Sequence, residues 1–123
     1  MEKFNTSNAP EAIWPYNQCV KANWFYFLSW QIALDPSSMQ IISDDIQSQT
    51  HQVCKNIISV LESIGLDIEN TVKITIYLKN IKDFPLVNEI YGSYFHHHPA
   101  RTCIEVSSLP KDSLIEIEAI AVE

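Results

Sequence analysis

The sequence predicts a two-layer α+β domain in which two helices pack on one face of a mixed β-sheet. Two segments carry apolar residues at three- and four-residue steps, which is the spacing of an amphipathic helix. In five shorter segments, apolar residues alternate with polar ones or follow one another without interruption, as they do in strands. The helices and strands together have the order strand, strand, helix, strand, helix, strand, strand. Because the chain has 123 residues, we expect residues 1–123 to form a single domain with a modest core.

The N-terminal part is predicted to lead into a β-hairpin. Residues up to Pro15 read as irregular or extended chain. Strands are predicted at 18–21 and 24–29, joined at Ala22-Asn23. Both faces of the second strand are apolar, which indicates a central strand that is covered on both sides. Since the chain has no third layer to cover the sheet, we expect self-association.

The first helix is predicted at 44–64, with Ser43 or Asp44 as its N-cap and Gly65 as its left-handed terminating residue. A strand at 71–79 follows, and its expected inward residues are Val72, Ile74, Ile76 and Leu78.

The second helix is predicted from Asp83, a good N-cap, to Phe95. Two further strands are predicted at 101–106 and 114–122, with a turn at 110–112 between them. Cys19 and Cys54 are expected in the core.

Charge and cysteine usage restrict the class of function. The 8 basic and 15 acidic residues give a net charge of −7, which argues against a nucleic-acid partner. No apolar run approaches the roughly 20 residues of a membrane span. Residues 1–5 lack the pattern of a signal peptide, and three cysteines without metal-type spacing suggest a reducing compartment. We therefore expect a cytoplasmic protein.

Four side chains on the last two strands could carry chemistry. Arg101, the only arginine, shares a strand face with Cys103 and could anchor a carboxylate or phosphate; otherwise it pairs with a surface acid. Cys103 could be a nucleophile or a small buried apolar residue. Glu116 and Glu118 share a face, and one of them could position water or act as acid or base; otherwise both lie on the exposed face of an edge strand.

Two further features have simple alternatives. Tyr16 lies in a rigid segment after Pro15 and lines a pocket or merely packs. His96-His97-His98 cannot chelate together on a helix, so interaction with the helix C-terminus is favoured over metal binding.

The chain resembles the reactive intermediate/imine deaminase A family (RidA, also called YjgF-like) over nearly its whole length. The matching segments are 8–13 (NAPEAI), 15–16 (PY), 29 with 31–32 (S and QI), 34–36 (LDP), 87–91 (VNEIY), 99–106 (PARTCIEV), 109–112 (LPKD) and 115–122 (IEIEAIAV). The resemblance implies a chorismate-mutase-like fold and a homotrimer with clefts between subunits. It also implies hydrolysis of 2-imino acids, formed when serine or threonine is dehydrated, to 2-oxo acids and ammonia, without a metal or organic cofactor.

The resemblance assigns roles to individual residues. Arg101 would hold the substrate carboxylate, and Glu116 would position the attacking water while Glu118 is structural. Cys103 would contact the imine without acting as a nucleophile. The remaining residues expected to line the substrate site are Tyr16, Ser29, Trp30 and Asn88.

Two residues depart from the family pattern, since Trp14 and Trp30 stand where the family usually has glycine. Strand alternation places Trp30 opposite Ser29, which would direct its ring away from the cleft. If the indoles instead intrude, the pocket shrinks or closes, and the alternative function is a catalytically weak, small-molecule-binding trimer. Translation inhibition or RNA cleavage, attached to some relatives, is disfavoured by the net charge of −7.

Overall fold

Two α-helices pack on one face of a six-stranded sheet in the computed structural model, which describes residues 1–123. The strands are β1 (Glu2–Phe4), β2 (Cys19–Ala22), β3 (Phe25–Gln31), β4 (Thr71–Leu78), β5 (Ala100–Glu105) and β6 (Ile115–Val122). The helices are α1 (Ile46–Ser63) and α2 (Phe84–Tyr94). The predicted α+β architecture is confirmed, with β1 lying in the segment that the sequence left as irregular or extended. Neither helix is long and apolar enough to cross a membrane.

The sheet has the order β1-β2-β3-β6-β4-β5 and is mixed, because β4 and β5 run parallel while every other pair is antiparallel. β6 therefore lies between β3 and β4, near the middle of the sheet, and β5 forms one edge. In this order only β4 separates β5, which carries Arg101 and Cys103, from β6, which carries Glu116 and Glu118.

The core fills the space between the helices and one sheet face. Alternate residues of β4 and β6 are fully buried there, and Cys19 and Cys54 are in the core as predicted. The buried members from the two central strands are Ile74, Ile76, Leu78, Ile115, Ile117, Ala119 and Ala121. Burial of branched apolar side chains against helices gives this layer its stability.

The opposite face of the sheet is open in the single chain. Phe25 and Phe27 are each 45% exposed on β3, and they pair in register with Val122 and Ile120 of β6. The expectation that β3 is covered on both sides is therefore wrong for one chain, since no element of the fold lies over this face. Apolar residues left exposed on a sheet face are typical of an interface.

The first helix begins at Ile46, two residues later than predicted, and neither Ser43 nor Asp44 is its N-cap. Its N-cap is Asp45, whose side chain accepts a 2.7 Å hydrogen bond from the backbone N–H of Ser48. Ser43 instead supports the cap, since its hydroxyl donates to the Asp45 carboxylate at 2.6 Å. Gly65 has a φ of +78°, which confirms the left-handed residue predicted after the helix.

Two further residue-level predictions are wrong. Asn80 starts a 3₁₀ turn just before α2, so Asp83 already has helical backbone angles and makes no capping hydrogen bond. A cap residue needs an extended backbone, which Asp83 lacks. Val72 is 40% exposed rather than inward, because the register between β4 and β6 shifts between Thr71 and Lys73.

Candidate active site

Arg101 is held by one face of helix α2. Its Nη1 donates a 2.7 Å hydrogen bond to Oδ1 of Asn88, and its guanidinium carbon lies 4.8 Å from the ring centre of Tyr91 and 5.2 Å from that of Phe84. These helix residues follow the i, i+4, i+7 spacing of one helix face. The spacing of Phe84 and Tyr91 relative to Asn88 is the sequence signal that could have identified this arrangement.

Arg101 has no acidic partner. The ion pair between Lys21 and Glu123 is the only salt bridge in the structure, so the alternative in which Arg101 pairs with a surface acid is wrong. Asn88 is the single hydrogen-bond acceptor of its side chain. The remaining guanidinium N–H groups are oriented by two aromatic faces and are available to a planar anion.

Glu116 and Glu118 lie on one face of β6, as predicted, because they pair in register with Tyr77 and Thr75 of β4. The edge-strand alternative is wrong, since β6 is flanked on both sides. Glu118 accepts a 2.9 Å hydrogen bond from the Tyr77 hydroxyl. Burial, reinforced by the negative charge of Glu118, raises the pKa of Glu116 to about 7. A carboxyl with this pKa is suited to exchanging protons near neutral pH.

Arg101 and Glu116 lie on opposite faces of the sheet. Arg101 pairs in register with Ile74, and Glu116 pairs with Tyr77. Ile74 and Tyr77 are three residues apart on β4, so strand alternation directs their side chains to opposite sides. Ile74 is fully buried on the helix side, where Arg101 also contacts α2. A ligand of a few carbon atoms cannot contact both groups within one chain.

A bulge in β3 determines where Trp30 lies. Leu28 pairs with Ala119 and Gln31 pairs with Ile117, so two residues of β3 lie opposite one residue of β6. Those two residues are Ser29 and Trp30, and the one residue of β6 is Glu118. Simple alternation does not hold across such a bulge.

Trp30 stacks on Tyr16, with ring centres 6.2 Å apart and an angle of 28° between the planes. Alternation therefore does not decide on which side of the strand the indole of Trp30 lies, and its ring contacts Tyr16, another residue expected to line the substrate site. Trp14, which is 73% exposed, lines a cavity together with these two rings. Ser29 is fixed nearby by a hydrogen bond from its hydroxyl to the carbonyl oxygen of Asn17. The structure thus brings Tyr16, Ser29 and Trp30 together. Arg101 and Asn88 form a separate group.

Cys103 pairs in register with Ile76 and is half-buried against the core. Burial raises the pKa of its thiol, and the nearby charge of Arg101 offsets this only in part. A thiol with a raised pKa is a poor nucleophile. The geometry therefore favours a contact role over a nucleophilic one.

The three consecutive histidines are not grouped as metal ligands. No three His, Cys, Asp or Glu side chains lie together as a set that could hold a metal ion. His97 instead uses Nε2 to contact the hydroxyl of Thr71 at 3.1 Å and its carbonyl oxygen at 2.9 Å.

The fold and these groups define a class of small two-layer α+β protein with an arginine free of any acidic partner and a glutamate whose pKa is raised by burial. The chain belongs to the family described as Endoribonuclease L-PSP, which is the YjgF/RidA family: the family model matches residues 6–123.

Several relatives are similar over almost their whole length. A RutC family protein from Pyrococcus horikoshii is 50% identical over 117 residues, which cover 94% of this chain and 93% of that protein. The human 2-iminobutanoate/2-iminopropanoate deaminase is 44% identical over 120 residues, covering 97% and 88% of the two chains. The structure of Escherichia coli TdcF with bound serine superposes with a TM-score of 0.94 at 35% identity, covering 100% of this chain and 99% of that one.

Proposed function

We propose that this protein hydrolyses reactive 2-imino acids and their 2-enamino tautomers, formed by dehydration of serine or threonine, to 2-oxo acids and ammonia. The observation that carries the proposal is the unpaired guanidinium of Arg101, held by Asn88 between two aromatic rings. The similarity to the human deaminase and to a protein with bound serine supports a ligand of amino-acid size.

Arg101 binds the substrate carboxylate in this proposal. A guanidinium offers two parallel N–H donors to a carboxylate, and such charge-assisted pairs are among the stronger hydrogen bonds in proteins. Asn88 holds one nitrogen of the group, which leaves the others for the ligand. Cys103 lies one strand step further on the same face and contributes a contact without covalent chemistry.

Glu116 positions the attacking water and accepts its proton. The oxygen of the water forms a bond to the imine carbon as the C=N π bond breaks, and the proton that Glu116 accepts passes to the nitrogen to give a carbinolamine. The remaining hydroxyl proton then moves to the nitrogen as the C–N bond breaks, which releases ammonia and leaves the 2-oxo acid. A pKa of about 7 places Glu116 near equal populations of acid and base at neutral pH. General acid–base catalysis by one positioned group contributes about 10²- to 10⁴-fold.

The complete site requires two copies of the chain. Arg101, Asn88 and Cys103 form one half on the helix side and β5 edge of a subunit, while Glu116 with Tyr16, Ser29 and Trp30 forms the other half in its neighbour. The exposed apolar face around Phe25 and Phe27 supplies a surface for this assembly. We propose a homotrimer: a head-to-tail contact that closes into a ring pairs each half-site with its complement, and the resemblance to the RidA family implies three subunits.

A coupled assay tests the function. A serine or threonine dehydratase generates the imine in place, and release of 2-oxo acid is followed with and without this protein. We expect an acceleration that Arg101→Ala abolishes while the assembly stays intact. No acceleration by a well-folded wild-type assembly would contradict the deaminase and favour a small-molecule-binding protein whose pocket is altered by Trp14 and Trp30.

A further inference from the structure

A cavity of about 140 Å³ lies beside the Tyr16–Trp30 stack. Its lining is mainly apolar, and the principal side chains are Ile13, Trp14, Tyr16, Trp30, Leu34 and Met39. An apolar cavity of about 150 Å³ in another protein holds one benzene molecule, so this cavity matches a single aromatic ring in size. Aromatic walls favour an aromatic occupant, because rings gain from offset-stacked and edge-to-face contacts.

The cavity shares Tyr16 and Trp30 with the half-site proposed to hold Glu116, although Glu116 itself does not line it. Trp30 forms part of the cavity wall and follows Ser29 in the bulge, directly opposite Glu118. Glu116 lies one strand step from Glu118 on the same face. A substrate whose C=N carbon lies near Glu116 can therefore extend its side chain past Trp30 into the cavity.

We propose that this cavity receives the substrate side chain, and that Trp14 and Trp30 direct the protein toward 2-imino acids with an aromatic or bulky apolar side chain. The inference rests on the proposed deaminase function and specifies its substrate class. Methyl and ethyl side chains leave the cavity largely empty. Because one methylene in an apolar pocket is worth about 10- to 200-fold in kcat/KM, a ring should be favoured over a methyl group by at least about tenfold.

The test compares two imines made by the same reaction. A D-amino-acid oxidase with oxygen converts D-phenylalanine or D-alanine to the corresponding 2-imino acid, and semicarbazide competes for that imine. The decrease in semicarbazone formation gives kcat/KM for each substrate. We expect wild type to favour the phenyl-bearing imine by at least about tenfold. Trp30→Ala and Trp14→Ala should each reduce this preference.

Trp24→Ala is the matched control, because Trp24 is 72% exposed in the β2–β3 turn and does not line the cavity. It should keep the wild-type preference. If Trp30→Ala fails to fold, Trp14→Ala decides, since its exposed side chain contributes little to the core. Calorimetric binding of phenylpyruvate against pyruvate gives a second readout that does not need turnover, and wild type should bind phenylpyruvate more tightly.

Two outcomes separate the two proposals. Arg101-dependent turnover with equal kcat/KM for both imines, or a preference that neither tryptophan variant changes, would overturn the substrate class and leave the deaminase standing. Failure of wild type to accelerate hydrolysis of either imine would overturn the deaminase itself.

Discussion

Nη1 of Arg101 on β5 donates a 2.7 Å hydrogen bond to Oδ1 of Asn88 on α2. The acceptor is a neutral amide rather than a carboxylate, so it orients the guanidinium without neutralising its charge. This relationship explains how a half-buried arginine can stay available to an anionic ligand in a chain with 15 acidic residues.

Replacement of Asn88 tests this role. Asn88→Asp keeps the size of the side chain but places a negative charge beside Arg101, where, in the proposed role of Arg101, it would compete with the substrate carboxylate. Asn88→Ala only removes the orienting bond. Since a hydrogen bond to a charged group is worth about 1.5–3 kcal/mol, we expect KM to rise about tenfold or more in Asn88→Ala. The rise should be larger in Asn88→Asp, as measured by steady-state kinetics in the coupled assay.

The informative result is which of the two Asn88 variants has the higher KM. An Asn88→Asp protein with lower KM than Asn88→Ala would show that Arg101 does not bind an anion. Glu89→Gln, a change at the exposed neighbouring position, serves as the control for a charge change on α2 and should leave KM near the wild-type value.

Activity should depend on pH through Glu116. Its pKa of about 7 means that kcat/KM falls as the pH is lowered through 7, because the carboxylate is protonated. The charge of Glu118 contributes to that raised pKa, so Glu118→Gln should shift this acid limb to lower pH. A profile of kcat/KM against pH measures both effects. If the fall in kcat/KM at low pH has the same midpoint in wild type and Glu118→Gln, Glu116 is not the group that causes it.

Glu116 should also make the free energy of unfolding depend on pH. A carboxyl whose pKa rises from 4.5 to about 7 on folding binds protons more tightly in the folded state. Its contribution to the free energy of unfolding is therefore fully present below pH 4.5 and is lost as the pH rises through 7. Denaturant unfolding at several pH values should show a weaker loss of stability over this range in Glu116→Gln, and an unchanged loss would indicate that other groups dominate.

Cys103 should be dispensable for the chemistry. Its raised thiol pKa and the proposed contact role predict that Cys103→Ser keeps kcat within about tenfold of wild type, whereas loss of a covalent nucleophile would remove nearly all turnover. Mass spectrometry during turnover should detect no adduct on this thiol. A covalent adduct that forms and decays at the rate of turnover would refute the contact role.

RNA binding is expected to be absent, although the family description names an endoribonuclease. The net charge of −7 opposes association with phosphates, and binding that depends on Lys and Arg is strongest at low salt. A gel-shift titration with single-stranded and duplex RNA at low salt should therefore show no complex. A salt-dependent shift would contradict this expectation.

The fold could be predicted from the sequence where local pattern and burial agree. α1, α2, β4 and β6 each carry a clear apolar period, and the structure places them within one or two residues of the predicted bounds. β1 could not be identified, because three residues with mixed polarity give no period and are held by pairing with β2. Val72 was misassigned because a bulge interrupts alternation without leaving a signal in composition.

The candidate site was predictable as a set of residue types but not as an arrangement. Arg101 could be singled out as the only arginine, and Glu116 as an acid in an apolar strand. Their separation onto opposite sheet faces depends on β4 lying between β5 and β6, which local sequence does not encode. The contact of Trp30 with Tyr16 depends likewise on the bulge in β3.

The central claim is that one site takes Arg101 from one subunit and Glu116 from its neighbour. Arg101→Ala and Glu116→Ala proteins, each inactive alone, can be co-expressed with different tags and purified as mixed assemblies. In a head-to-tail ring, a site is intact when a chain that carries Arg101 precedes a chain that carries Glu116. Every ring of three that contains both variants has this arrangement at one of its three sites, so about one third of the sites are intact.

The measurement is the turnover of these mixed assemblies in the coupled imine assay, relative to wild type at equal subunit concentration. We expect recovery to about one third of the wild-type rate, from two proteins that are separately inactive. If both residues served one site within a single chain, every chain in the mixture would lack one of them. Mixed assemblies that stay inactive would therefore contradict the account.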